Sequence, residues 1–295
     1  MKKGIAISLA MAMATTMTQA LDNFDTVEAG NWTAAGVWPG DGQPDTNSNA
    51  RLKHDVSINS VVGDTGGLQT GRGAETTLTI NSGGFLKLLY GSATIGGNNR
   101  GHLVLNGGSL TTANGNVMNI GTKAGFGGSS VTVNSGGLTV DGAIKVGAQD
   151  WAILAINGGT VSAAGNLLVG AVGLAASSVD LLGGSLSVDG SLIFGNTTDT
   201  LNIENDAVMM LSGDDWADIN AGIAAGNITW ANGDMVDTAV GLKTWDNGSG
   251  SYLHTDFDGS DTTVWVNQTI PEPATLGLIG FAGAVALIIR RRFLI

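Results

Sequence analysis

The chain has 295 residues, a formal net charge of −12, 47 glycines, four prolines and no cysteine. The lack of cysteine excludes disulfides and thiol chemistry, and the few prolines without a Gly-X-Y period exclude collagen. So acidic a chain is poorly suited to bind nucleic acid or anionic lipid. Because 43 % of the residues are apolar and fall in short regular runs, we expect a folded protein.

Residues 1–20 have the order of a secretory signal peptide. Lys2 and Lys3 precede an apolar stretch over residues 5–14, and Thr18-Gln19-Ala20 offers a small-residue cleavage site. An N-terminal anchor helix is disfavoured because the apolar stretch is too short to span a bilayer. We therefore predict export, with cleavage after Ala20.

Residues 21–60 are predicted to form an N-terminal cap. They contain Trp32, Trp38 and two of the four prolines, followed by an alternating strand over residues 54–58. A cap is needed because the open end of a repeat stack would expose unpaired strand edges.

Residues 61–211 are periodic. Short alternating runs of β-formers flank Gly-Gly pairs that begin at residues 83, 107, 136, 158 and 183, which are 22 to 29 residues apart. Each unit reads as three short strands separated by a Gly-Gly turn and an Asx/Gly turn. This pattern predicts an all-β, right-handed parallel β-solenoid (β-helix) of six or seven coils, a rod roughly 30 Å long. An antiparallel β-sandwich is the competing fold.

The repeat also predicts which residues face inward and which form the corners. One coil has six inward candidates: Val131, Val133, Leu138, Val140, Ile144 and Val146. The Gly-Gly corners are expected to need φ > 0, so that Gly137→Val would cost about 1–3 kcal/mol. Asparagines recur beside these corners and are expected to stack into an amide ladder: Asn81, Asn106, Asn134 and Asn157.

Residues 212–270 are predicted to form an acidic C-terminal cap. The stretch 199–261 holds 12 acidic residues and one basic residue, Lys243. Ser212 or Asp214 is expected to N-cap a short helix that ends at Ala225. Residues 228–234 are expected to form a strand that enters an Asn-Gly turn, and residues 262–268 the last strand before the tail.

The C-terminal end predicts a membrane anchor. Residues 274–289 form an uncharged apolar run that is followed at once by Arg290, Arg291 and Arg292. We predict a single transmembrane helix over 274–289, with the arginines on the cytoplasmic side. A buried C-terminal helix is the alternative, but three consecutive arginines are unusual at the end of one.

Pro271-Glu272-Pro273, the apolar helix and the three arginines together resemble the PEP-CTERM sorting signal of Gram-negative bacteria, over residues 271–295. The resemblance implies recognition by exosortase, a membrane-embedded protease-transpeptidase that cleaves near Pro-Glu-Pro. It further implies a precursor held in the inner membrane, a final place at the cell surface or in the extracellular matrix, and an association with exopolysaccharide. It does not specify what the exported part does.

No catalytic constellation is expected from the sequence. His54, His102 and His254 are scattered, and standard hydrolase, phosphate-loop and zinc motifs do not occur. Asp214 and Asp215 are adjacent and would point apart on a helix, whereas Asp141 and Asp189 occupy equivalent turns two coils apart. We therefore expect no enzyme and no cofactor. A glycan-processing β-helix lyase or hydrolase, with one of these aspartates as acid, base or calcium ligand, is kept as the alternative.

Two further features remain open. Asp256, Asp258 and Asp261 resemble part of a calcium loop without its distal Glu, so a solvated turn is preferred to a metal site. Six tryptophans lie in the caps and only Trp151 lies in the coils; filling of the core and caps is preferred to a sugar-stacking platform. The sequence thus predicts an exported, non-enzymatic surface or matrix protein. A receptor-binding adhesin is a third possibility.

Overall fold

A computed structural model describes residues 21–170, 176–231, 243–249 and 251–268. The first strands are β1 (Asp22–Asp25), β2 (Gly30–Asn31), β3 (Ser48–Arg51), β4 (Val56–Ile58), β5 (Gly67–Gln69), β6 (Thr76–Asn81), β7 (Phe85–Leu88) and β8 (Ala93–Ile95), with a 3-10 turn at Pro39–Asp41. The central strands are β9 (Gly101–Thr112), β10 (Met118–Ile120), β11 (Ser129–Val140), β12 (Ile144–Val146), β13 (Ala152–Ile156), β14 (Thr160–Ala163), β15 (Leu167–Val169), β16 (Ser178–Leu181), β17 (Ser185–Val188) and β18 (Leu192–Phe194). The last elements are β19 (Thr200–Glu204), β20 (Val208–Ser212), α1 (Trp216–Ala225), β21 (Ile228–Ala231), β22 (Lys243–Asp246), β23 (Ser251–Phe257) and β24 (Asp261–Gln268).

The strands stack as a three-sided parallel β-solenoid, which confirms the predicted fold. The first face is an eight-stranded parallel sheet in the order β1-β3-β5-β8-β10-β12-β15-β18, so the solenoid has about eight turns. The second face runs β2-β4-β6-β9-β11-β13-β16-β19-β21. The third runs β7-β9-β11-β14-β17-β20. β9 and β11 bend through a corner and therefore belong to both of these faces.

The parallel ladders begin within the segment that we assign to the N-terminal cap. β1 pairs with β3 and β2 pairs with β4, and both ladders continue into the following coils. Trp32 and Trp38 are buried at this end, in a T-shaped pair with ring centroids 4.8 Å apart. The Trp38 indole N–H donates to the Trp32 carbonyl at 2.8 Å. The N-terminal coils thus carry aromatic filling, and the stack is one to two turns longer than predicted.

The apolar side chains inside the coils form one continuous core, built from columns of equivalent residues. The six predicted inward residues of the 131–146 coil are all buried. Adjacent coils place Leu103, Val131, Leu154 and Val179 in register, so each side chain packs on the equivalent one above and below. Removing such a column from water supplies most of the stabilisation, since burying one Val or Leu side chain contributes about 1.5–3 kcal/mol.

One glycine of each Gly-Gly pair has positive φ, but which one changes along the stack. It is the first of the pair at Gly83, Gly107 and Gly136, and the second at Gly159 and Gly184. The expectation that Gly137 needs φ > 0 is therefore wrong by one residue. A Cβ on Gly137 would lie 3.5 Å from its nearest neighbour, whereas one on Gly136 would lie 2.0 Å from the Gly108 carbonyl oxygen.

The C-terminal region combines a helix with antiparallel strands. β21 continues the second face, while β24 pairs antiparallel with β20 and then with β23, which pairs with β22. The predicted helix and last strand are both present. The helix begins one residue later than expected: Asp215 is the N-cap residue and its side chain makes no capping bond, whereas the Asp214 carboxylate accepts from the Trp216 N–H at 3.5 Å.

Within the described ranges, no helix has the length and apolar character of a membrane span. The predicted transmembrane helix over 274–289 and the signal peptide lie outside the described residues.

Candidate functional site

The second face presents a flat polar surface to solvent, here called the polar face. Because side chains alternate along each strand, residues of equal register form columns that cross the coils. One column contains Thr77, His102, Ser130, Ile153, Ser178 and Thr200, and the next contains Asn31, Ser57, Thr79, Val104, Thr132, Ala155, Asp180, Asn202 and Thr229. Most of these side chains are hydroxyls or amides.

A shallow groove of about 570 Å³ lies at the N-terminal end of the polar face, lined by Asn31, Asp55, Ser57, Thr77 and Thr79 among others. The Asp55 carboxylate accepts from the Thr77 backbone N–H at 2.7 Å, which ties together two neighbouring coils. Ala29 and Val56 also line this groove, so its lining is a mixture of polar and apolar side chains.

The predicted amide ladder borders the polar face in two segments. Asn81 donates to Asn59 at 2.7 Å in the first segment. In the second, Asn134 donates to Asn106 and Asn157 donates to Asn134, both at 2.8 Å. The ladder predicted from the recurring asparagines is confirmed for these pairs. It also contains Asn59, which was not predicted and which precedes the first Gly-Gly pair.

Three side chains that sequence reasoning left apart meet on the polar face. His102 Nδ1 lies 2.8 Å from Ser130 Oγ, and His102 Nε2 lies 3.2 Å from Glu75 Oε1. Arg100 Nη1 is 3.8 Å from Glu75 Oε2, so the carboxylate has two basic neighbours. The order hydroxyl, imidazole and carboxylate is one that can move a proton. No sequence motif could reveal it, because the three residues lie on three different coils.

A pair of acids lies near the C-terminal end of the polar face. Asp180 on β16 is opposite Asn202 on β19, and the Asn202 amide donates to Glu204 at 2.7 Å. The pKa of Asp180 is raised above its ordinary value. Burial has the largest effect and raises this pKa, the hydrogen bond from the Ser178 hydroxyl lowers it, and the nearby Glu204 carboxylate raises it further. The sequence suggested only isolated acids in the coils, and the inter-coil register brings these two together.

The aspartates considered from sequence do not converge. The Asp141 carboxylate accepts from the Gly115 N–H at 2.8 Å and is part of a corner, and Asp189 is exposed two coils away. At the start of α1, burial raises the pKa of Asp215, and the neighbouring Asp218 and Asp214 add to the rise. Oδ2 of Asp215 is buried without a hydrogen-bond partner.

The Asp256–Asp261 segment contains the turn between β23 and β24. Oδ1 of Asp258 accepts from the N–H groups of Ser260 and Asp261 at 2.8 and 3.0 Å. Both bonds lower the pKa of Asp258, and the bond from the Asp261 N–H has the larger effect. In the described ranges no group of three or more His, Cys, Asp or Glu side chains is placed to hold a metal ion. Calcium binding by Asp256, Asp258 and Asp261 stays untested.

The tryptophans divide by exposure. Trp32 and Trp38 fill the core, and the four tryptophans of the C-terminal cap are half-buried. There, Lys243 Nζ lies 3.6 Å from the centroid of the Trp216 ring, and His254 stacks on Trp265 at 5.6 Å. Trp151, in the coils, is exposed.

Residues 269–292 match the PEP-CTERM protein-sorting motif. No curated protein and no solved structure matches the chain. The chain therefore carries a PEP-CTERM motif on a β-solenoid, and the motif implies an exported protein with a membrane-anchored precursor that an exosortase sorts. Pro271, Glu272, Pro273 and Arg290–Arg292 fall within the matched segment, which lies outside the described residues, as does the predicted cleavage site at Ala20.

Proposed function

We propose that this chain is a structural protein of the cell surface or extracellular matrix that an exosortase releases from its inner-membrane precursor and that associates with exopolysaccharide. The observation that carries the proposal is the combination of the sorting motif with a polar face that crosses about eight coils.

The polar face suits contact with hydrated polysaccharide. Its hydroxyl and amide columns repeat at about 4.8 Å, the spacing of neighbouring strands, so donors and acceptors recur along the rod. Exposed polar contacts contribute only about 0.5–1.5 kcal/mol each. Association would therefore depend on many contacts and on many copies at one surface.

Intact-mass analysis of the surface-exposed protein tests the sorting step. The mature chain should lack residues 1–20 and everything after about Pro273. A Glu272→Gln variant, which keeps the length and the apolar run, should remain in the membrane fraction at the precursor mass. Surface protein that retains Arg290–Arg292 would contradict processing at Pro-Glu-Pro.

A glycan-processing enzyme is the second candidate, and it is favoured by the two clusters on the polar face, Glu75–His102–Ser130 and Asp180–Glu204. As a structural protein, the full-length chain in detergent should release no reducing ends or unsaturated products from bacterial or plant polysaccharides. Turnover of a defined polysaccharide that is lost in His102→Gln, Asp180→Asn, or an Asn variant of Asp141, Asp189, Asp214 or Asp215 would replace the structural proposal with the enzyme.

A further inference from the structure

Four residues occupy the same position on four successive coils, at the edge of the polar face. Glu75, Arg100, Gly128 and Trp151 each immediately precede residues that pair in the parallel ladder: Thr76, Gly101, Ser129 and Ala152. They form one row, here called the corner row. From coil to coil it consists of an acid, a base, a glycine that leaves a gap, and an aromatic ring.

The gap at Gly128 is where the two long side chains meet. A Cβ on Gly128 would lie 3.1 Å from the Trp151 ring and 3.6 Å from Arg100 Nε. Arg100 Nε donates to the Gly127 carbonyl at 2.9 Å, and a Cβ on Gly127 would lie 2.1 Å from the Trp151 indole nitrogen. The indole and the guanidinium therefore both lie against the same two-glycine stretch of backbone, which no other residue type would leave open.

The backbone around Trp151 is fixed before any ligand arrives. The Asp150 carboxylate accepts from the N–H groups of Trp151 and Gly125 at 2.8 and 2.6 Å, and the Gly128 N–H donates to the Trp151 carbonyl at 3.0 Å. Because the indole also packs against Gly127 and Gly128, the ring loses little conformational entropy on binding. It is nevertheless 38 % exposed, and Phe126 in the same corner is 40 % exposed.

The neighbours of the ring are polar and exposed. The side chains of Glu75 and Arg100 are 56 % and 52 % exposed, and their charges offset each other. Beside them, His102 and Ser130 continue onto the polar face. One or two isolated rings among glycines and charged side chains expose too little apolar area for a stable protein interface, which needs a contiguous apolar core.

We propose that the corner row is a subsite for a neutral pyranose polysaccharide. The apolar C–H face of one sugar ring would stack on the Trp151 indole, while Arg100 and Glu75, on coils further along the row, would donate to and accept from hydroxyls of the same polysaccharide chain. The neutral class follows from the offset charges of the row and from the net charge of −12 of the chain, which disfavours an acidic glycan. The subsite rests on the proposed association with exopolysaccharide and names where and to what the chain binds.

Affinity electrophoresis of the full-length chain in detergent tests the subsite, with hydroxyethyl cellulose as the neutral probe and alginate as the acidic one. We expect hydroxyethyl cellulose to retard the protein and Trp151→Ala to weaken that retardation about tenfold. Trp151→Phe should retain most of it, because the platform remains. Tyr90→Ala, which removes an aromatic ring that is 58 % exposed at another corner, should bind like the parent chain. Arg100→Ala should weaken binding by a smaller factor.

Thermal unfolding of each variant, followed by circular dichroism, separates loss of binding from loss of fold. A folded Trp151→Ala variant that is retarded as strongly as the parent overturns the subsite, as does a parent chain that hydroxyethyl cellulose does not retard. Stronger retardation by alginate would replace the neutral class with an acidic glycan. None of these outcomes affects the sorting and surface location, which the intact-mass and fractionation experiment decides.

Discussion

In the coils, β16 bonds to β13 on one side and to β19 on the other, each about 22 to 25 residues away along the chain. Where the coils meet the C-terminal cap, β20 bonds to the cap strand β24, roughly 55 residues later and in the opposite direction. The coils thus repeat one pairing between strands that are close in sequence, with equivalent residues stacked on one another. The cap uses a long-range contact that occurs once, as is required wherever a stack must end without an open edge. The difference indicates that a coil tolerates change according to its position in the repeat, whereas the cap depends on individual contacts.

The largest effect is expected at a corner of the coils. Gly136→Ala places a Cβ 2.0 Å from the Gly108 carbonyl at a φ of 89°, so we expect a loss of about 3 kcal/mol or more in the free energy of unfolding. Gly137→Ala is the matched control in the same pair and should cost less than about 1 kcal/mol. Denaturant unfolding measures both, and equal costs would show that the corner geometry is wrong.

The next effect concerns a contact that occurs only in the cap. The buried Thr262 hydroxyl donates to the Gly213 carbonyl at 2.6 Å and accepts from the Asp215 N–H at 3.0 Å. Thr262→Val removes both bonds at nearly constant shape, and we expect a loss of about 1–3 kcal/mol. Amide hydrogen exchange should rise in β23 and β24 and stay unchanged in β9 and β11. Exchange that rises equally in all four strands would mean that cap and coils unfold as one unit. Thr263→Val, on the opposite side of β24, is the control.

A smaller effect is expected in the amide ladder of the coils. Asn134 both donates to Asn106 and accepts from Asn157. Asn134→Ala removes two exposed hydrogen bonds, so we expect a loss of about 0.5–1.5 kcal/mol by denaturant unfolding. Asn98→Ala, at an exposed position away from the ladder, should be close to neutral. If Asn134→Ala leaves the free energy of unfolding unchanged, the ladder follows from the stacking of the coils and does not stabilise them.

The smallest effect is a pH dependence at the acidic end of the polar face. Because the pKa of Asp180 is raised in the folded state, the native protein holds this proton more tightly than the unfolded chain. Stability should therefore fall as pH rises from the ordinary carboxyl range through the raised pKa. Asp180→Asn should be slightly more stable than the parent chain at pH 7. The advantage should vanish at low pH, where the carboxyl is protonated in both states. Asp189→Asn, at an exposed corner, is the control, and an Asp180→Asn variant that is less stable at pH 7 would contradict the assignment.

Much of the coil interior was predictable because its signal is local. Alternation placed Val131, Val133 and Leu138 inside, and recurring asparagines indicated the ladder at Asn134 and Asn157. The first coils and the conformation of the corner glycines were less predictable, because the repeat pattern is weak or ambiguous there. The coils of β1 to β4 lack a Gly-Gly pair, and the glycine with positive φ switches place within the pair between Gly136 and Gly159. That switch depends on how each corner fits the one beneath it, which no single repeat encodes.

The candidate site was largely invisible in the sequence. Glu75, His102 and Ser130 are separated by 27 and 28 residues, and their meeting depends on the number of residues in each intervening corner. The same register sets Arg100 and Trp151 on either side of Gly128. The sequence shows Trp151 as the single tryptophan of the coils, but its neighbours in the chain do not reveal that it is exposed.

Three features can be read directly from the amino-acid order: the sorting motif over residues 269–292, the alternation that buries one side of each strand, and the turn chemistry of the repeat. Each of these is local: a short motif is read directly, the pleat has a period of two residues, and a glycine turn needs only its own backbone freedom. Three other features become visible only in the folded chain: which outward side chains become neighbours, which of two glycines takes positive φ, and how β24 pairs with β20. These features are set between coils, where hydrogen-bond register and close packing select one arrangement among several that the local pattern allows equally.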